Sequence, residues 1–233
     1  MAGTRTAMTE SLYTLLTWLS PAMPVGAYSY SHGLEAAVEA GLVTDRATLG
    51  TYVEAALTDG AGQLDAGFVR AACEAADDET RLREVLVNAA IMRGTAEFAL
   101  ESAAQGEALL RVLRTAWPHP ALERLAGLAG EASVQPAYAV VLGVAAAAHR
   151  VPLGDTLIAF LHAFAANLIS AGVRLVPLGQ SDGQRLTAHL QPRVGRVAAD
   201  VLRRDPDDLG TATPMIDWLS MTHETQYTRL FRS

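Results

Sequence analysis

Three polar residues at short range raise the question of covalent chemistry. Ser29, His32 and Glu35 follow one another three residues apart. At a helix start, that spacing would set a hydroxyl nucleophile beside an imidazole base and a carboxylate to orient it. The rest of a hydrolase is missing. G-x-S-x-G surrounds neither Ser29 nor Ser31, and no oxyanion signal accompanies them. His223-Glu224 would open a metalloprotease HExxH, but Tyr227 stands where its second histidine belongs. Gly60-Ala61-Gly62 begins a dinucleotide fingerprint that Asp65 fails to complete. The six histidines, at 32, 119, 149, 162, 189 and 223, include no pair three to five residues apart. A local zinc or nickel site is therefore not expected. One ligand per chain suffices for a site across a dimer axis, so such a site stays open.

Composition narrows the field. The 233 residues are half apolar and carry a net charge of −7, with 18% charged residues. That is enough apolar matter for one sizeable core, and one domain spanning 1–233 is expected. A low charge fraction with many alanines also suits packing against partners. All 18 basic residues are arginine. Without lysine there is no Schiff-base chemistry and no P-loop, so the chain is not a standard P-loop ATPase or GTPase. No basic stripe suggests nucleic acid. Cys73 is the one cysteine, so no disulfide forms within the chain. Met1 to Ser11 has no apolar h-region, and the longest uninterrupted apolar run, Ala137 to Ala148, is too short for a bilayer. The expected setting is the cytoplasm, away from membranes.

The elements that must position these residues read as helices. Leu157, Leu161, Phe164, Leu168 and Leu175 recur at helical spacing, and Ala137 to His149 is apolar nearly all round. These two helices, separated by Val151-Pro152-Leu153-Gly154, are expected to form the centre. Further helices are read over Ser31–Ala40, from Thr44 as cap towards Asp59, over Gln63–Ala76, over Arg81–Trp117 with Gly94 and Gly106 as breaks or close-packing points, and over Leu122–Ala132. Gly130 to Pro136 reads as a loop within the domain. The expected fold is all-α, one helical bundle of roughly eight to ten helices, with a body over 9–222 and an extended tail over 223–233.

Three segments do not fit plain helix building. Ser20 to Gly33 carries Pro21, Pro24, Gly26 and Gly33 around Tyr28 and Tyr30. It is either a contact surface or a loop that packs its aromatics on the core. Arg174 to Gln184 ends an apolar helix with a cation, turns at Pro177 and Gly179, and offers Gln180, Asp182 and Gln184. It is either a capped connection or a recognition surface on a rigid helix end. The tail, His223 to Ser233, ends in Tyr227, Arg229, Leu230, Phe231 and Arg232, the composition of interface anchors or of a strap on the chain's own core.

Together these stretches resemble the UreF family of urease accessory proteins. The residues that carry the resemblance are S-P-A-M-P-V-G-A-Y-S-Y-S-H-G-L-E over 20–35, R-L-V-P-L-G-Q-S-D-G-Q over 174–184 and H-E-T-Q-Y-T-R-L-F-R-S over 223–233. They stand in the family's order. Arg174 replaces a common lysine, His32 a common glutamine, and Ala139 follows Tyr138 where proline is frequent. The resemblance implies an all-α, non-catalytic chaperone for nickel insertion into apo-urease. It implies a homodimer that bridges the accessory D/H protein and the nickel-carrying GTPase G and modulates that GTPase. No cofactor would be tightly bound, and nickel would be handled within the complex; the alternative is a direct nickel-binding metallochaperone whose dimer holds nickel through His32 or His223. By the same resemblance, Tyr227, Arg229, Leu230, Phe231 and Arg232 would bind the D/H protein. Arg174, Pro177, Gly179, Gln180, Asp182 and Gln184 would face the GTPase. Pro24, Gly26, Tyr28, Ser29, Gly33 and Glu35 would form a structural or interface loop.

Overall fold

The computed structural model describes residues 2–232, with side chains from Thr9 to Arg232. Met1 and Ser233, the two ends of the expected domain, lie outside the described residues. Among the described residues eleven helical segments follow one another: α1 (Ala2–Trp18), α2 (Leu34–Glu39), α3 (Arg46–Thr58), α4 (Ala61–Glu74), α5 (Glu79–Ile91), α6 (Ala96–Ala116), α7 (Pro120–Ala132), α8 (Tyr138–Ala148), α9 (Leu153–Leu175), α10 (Gln180–Arg203) and α11 (Pro214–His223). Among the described residues there is no strand. The fold is all-α, packed around one core, and α2 is only six residues long.

The centre differs from the expected pair. Every residue of α8 from Tyr138 to Ala146 is buried, as its composition requires. Yet α8 packs chiefly on α4 and α6, while α9 packs on α10, α4 and α3, so α4 comes between the two apolar helices. Small residues on α4 and α8 make this possible. A Cβ on Gly143 would collide with the Val69 carbonyl and crowd Ala72. The α9 segment is long and apolar enough, by length and composition, to cross a membrane. Its polar residues interrupt the apolar sequence, so no long uninterrupted run marks it.

The two candidate breaks within Arg81–Trp117 have different roles. Gly94 lies in the link between α5 and α6, where the Thr95 hydroxyl accepts from the Phe98 amide and caps α6. Gly106 is inside α6, against the backbone of Pro136 and Ala137. Replacing it with alanine would push a methyl into the Pro136 carbonyl. Gly106→Ala is expected to cost about 1–3 kcal/mol, read as a lower denaturation midpoint at unchanged slope.

Two expected helix starts shift. Asp45, not Thr44, caps α3, because its carboxylate accepts from the Thr48 amide while the Thr48 hydroxyl accepts back from the Asp45 amide. The helix expected from Ser31 begins only at Leu34, because His32 (φ 57°) and Gly33 (φ 76°) are both left-handed. That reversal matters for function. It turns the Ser20–Gly33 loop back over the end of α9 and towards α11.

Candidate functional site: a joint between loop, helix end and tail

The Ser20–Gly33 loop has little regular structure, so side chains from the body hold its carbonyls. Asn167 Nδ2 on α9 donates to Val25 O at 2.8 Å. Arg174 Nη2, at the C-terminal end of the same helix, donates to Ala27 O at 3.0 Å. The Tyr52 hydroxyl on α3 donates to His32 O at 2.8 Å, and burial pushes that phenol well above its usual range. Held this way, the loop turns Tyr28 outward, 70% exposed. Its aromatics are therefore not all packed on the core. Tyr30 is half-buried, its hydroxyl raised by burial and lowered by nearby Arg232.

The tail closes onto this loop. The Arg232 amide donates to Ser29 O at 2.7 Å. Phe231 is 3% exposed, with the Arg174 guanidinium 4.4 Å from its ring centroid and 5.7 Å from that of Tyr28. Burial lowers the guanidinium from its ordinary value and Tyr28 opposes the shift; an arginine stays charged throughout. Each cation–π contact is worth about 0.5–1 kcal/mol at an exposed site, more where water is excluded. Arg174 thus ties both aromatic segments to the end of α9.

Beneath the tail lies a buried charge cluster. Glu35 Oε1 accepts from the Leu230 amide at 2.6 Å and Oε2 from the Phe231 amide at 2.9 Å. Glu35 Oε2 also lies 3.1 Å from His223 Nε2. His223 Nδ1 sits 2.9–3.0 Å from both oxygens of Glu97, and Arg229 Nη1 donates to Glu97 Oε1 at 3.2 Å. His223 is 0% exposed, and both glutamates are buried. Glu97 stands in the first turn of α6, where the helix dipole favours a carboxylate.

The family model for UreF matches residues 43–191. A urease accessory protein UreF of Rhodopseudomonas palustris (strain HaA2) is 53% identical over 225 residues, 96% of this chain and 94% of its own. That of Granulibacter bethesdensis is 48% identical over 234 residues, covering 100% and 98%. That of Bradyrhizobium diazoefficiens is 47% identical over 225 residues, covering 96% and 92%. The chain belongs to the UreF family.

The joint unites residues that the sequence scatters. Loop, tail and Arg174 meet, with Gly33 pressed close to the Ser220 amide and the Tyr52 hydroxyl. Pro24 and Ser29 are half-buried, and Gly26 (φ 73°) leaves no room for a side chain beside Gln105. Tyr227 is fully exposed and Leu230 largely so. The rest of the second segment goes elsewhere. Pro177, Gly179, Gln180 and Gln184 are exposed at the corner between α9 and α10, and Asp182 pairs with Arg46 on α3 and Arg185.

The hydrolase arrangement is not assembled. Both Glu35 oxygens go to the tail and His223, while His32 stacks on Phe98 at 3.9 Å between centroids and places Nδ1 3.6 Å from Glu101. As nickel ligands, His32 and His223 would each have to leave a buried setting. Behind the loop a cavity of about 80 Å³ is lined by Tyr30, His32, Glu101, Ser102 and Tyr138. The Ser102 and Tyr138 hydroxyls have no hydrogen-bond partner in the protein, which suits a few ordered waters.

Sequence reasoning missed Glu97 and the anchoring role of His223. Positions 35, 97 and 223 share no local spacing, and Glu97 looks like any acidic residue in a helix's first turn. The structure also supplies Asn167 and Tyr52, which no motif marked.

Proposed function

We propose that the chain is a non-catalytic accessory scaffold in urease maturation. It bridges the accessory D/H protein and the nickel-carrying GTPase G, and modulates the GTPase. The observation that carries this reading is the joint, in which Tyr28, Arg174 and the tail form one surface on a rigid helix end. Tyr227, Leu230 and Tyr28 turn outward there, and exposed aromatic anchors beside arginine are the composition of binding hot spots. The relatives' shared name, urease accessory protein, gives the process.

Within this reading the tail residues Tyr227, Arg229, Leu230, Phe231 and Arg232 engage the D/H protein. The corner bearing Pro177, Gly179, Gln180, Asp182 and Gln184 faces the GTPase. Arg174 belongs to both, since it touches the tail and stands at the start of that corner. A scaffold so connected can bias a nucleotide switch by binding one of its states better than the other. Nickel is cargo passed within the complex, not a tightly held ligand of this chain. The scaffold works as a homodimer in the cytoplasm, reaches apo-urease through the complex, and needs neither nucleic acid nor membrane.

The test is made in cells that produce urease but lack this chain. Urease purified from them is expected to carry under a tenth of its normal nickel. Re-expression of the chain, or of its Ser29→Ala variant, should restore the metal. Full nickel loading without the chain would remove the accessory role, and failure of Ser29→Ala alone would revive a hydrolase.

A further inference from the structure

We infer that the groove between α5 and α6 is a docking site for a neutral peptide segment. One apolar side chain of that segment sits in the groove, and its backbone carbonyl is held by Arg93 and Ser102. The groove measures about 480 Å³, within the range of ligand pockets, and residues 133–137 between α7 and α8 complete its lining. Its walls are mostly methyl groups, Ala89 and Ala90 from α5 and Ala99 and Ala103 from α6. Leu100 also lines it, and Ile91 follows Ala90; both are largely exposed, so apolar surface continues past the groove's edge. Such small side chains leave room for a guest and offer no hydrogen-bond acceptor.

Two polar groups in the lining indicate what the guest must carry. The Arg93 side chain is 6% exposed, with Nη1 2.7 Å from Asp65 Oδ1 and Nε donating to Ala89 O at 2.9 Å. Its Nη2 is buried with no hydrogen-bond partner among the described residues, and the same holds for the Ser102 hydroxyl. A buried N–H without an acceptor costs stability, and native structures pair nearly all of them. Ser102 and Arg93 also border the cavity behind the loop. A hydroxyl both donates and accepts, so Ser102 can serve a water there and a guest oxygen in the groove. The missing acceptor is neutral. The Arg93 charge is already met by Asp65, and Glu101 stands beside Ser102. A carboxylate would therefore bring an unbalanced charge into a partly buried site. A peptide residue offers an apolar side chain and a neutral carbonyl on one Cα. The groove belongs to the helical body, so the inference depends neither on the tail nor on the partners proposed above.

The experiment is a methyl NMR titration of the full-length chain labelled with carbon-13 alanine. The probe is N-acetyl-leucinamide, and N-acetyl-leucine is its anionic match. The expected result is saturable shifts at Ala89, Ala90, Ala99 and Ala103, with the anion binding about tenfold or more weaker. Ser102→Ala removes one donor and leaves the Arg93–Asp65 pair intact, so it should weaken the amide about two- to tenfold. Ala103→Phe fills the groove from its wall and should abolish the shifts at the other three alanines. An amide that shifts none of these methyls would overturn the inference. So would an anion that binds as tightly, or binding that both variants leave unchanged.

Discussion

A chain ending at Gln226 should lose the accessory D/H protein while keeping its helices. The last helix closes at His223, so the missing residues belong to no helix and far-ultraviolet circular dichroism should hardly change. What disappears is the buried Phe231, the Arg229 contact to Glu97, and the outward Tyr227 and Leu230. Loss of several anchors at once is expected to weaken capture by on the order of 100-fold or more, since single hot-spot residues are worth about 2 kcal/mol or above. The body pays a smaller penalty, about 1.5–3 kcal/mol for the apolar burial of Phe231. Titration calorimetry of both chains against the D/H protein reads the first effect and urea denaturation the second. Normal affinity in the shortened chain would remove the tail from that interface.

Glu35→Ala should be among the most destabilising single changes. The side chain is buried, accepts from two tail amides and lies 3.1 Å from His223 Nε2. Its removal strands those donors and leaves the cluster's charges unbalanced. Breaking a buried ionic group from one side costs about 3–5 kcal/mol. Urea denaturation at pH 7 should show a midpoint lowered accordingly, and the tail should become sensitive to proteases at Arg229 and Arg232. Glu35→Gln should lose less, because the amide oxygen still accepts from the tail. A stability change within about 0.5 kcal/mol for Glu35→Ala would mean that the tail is not held by this carboxylate.

What the sequence shows of this joint depends on the range of each interaction. The helical periods of α9 and α8 and the glycine stop after α2 are local, and the sequence shows them directly. The loop, the arginine at the end of α9 and the aromatic tail stand out because each breaks helical patterning. Their meeting at one joint is a property of the tertiary fold. The left-handed pair His32-Gly33 illustrates why: glycine at 33 permits such a turn, whereas histidine, although commoner at positive φ than most side chains, seldom adopts it. Likewise Asn167 and Tyr52 hold the loop through carbonyls, which carry no side-chain identity. Glu97 contributes to the joint from 62 residues beyond Glu35, with no motif to single it out. That α4 lies between α8 and α9 is hidden in the sequence for a related reason. Apolar composition shows that a helix is buried, and only the small residues facing each other on α4 and α8 decide which neighbour buries it.

The proposed scaffold joins two partners through adjoining surfaces, and a three-component co-purification tests this most directly. The full-length chain, the D/H protein and the GTPase are mixed, and only the D/H protein carries an affinity tag. The GTPase should be retained when the chain is present and wash away when it is omitted. Retention of the GTPase without the chain, or its loss when the chain itself is bound, would contradict the scaffold.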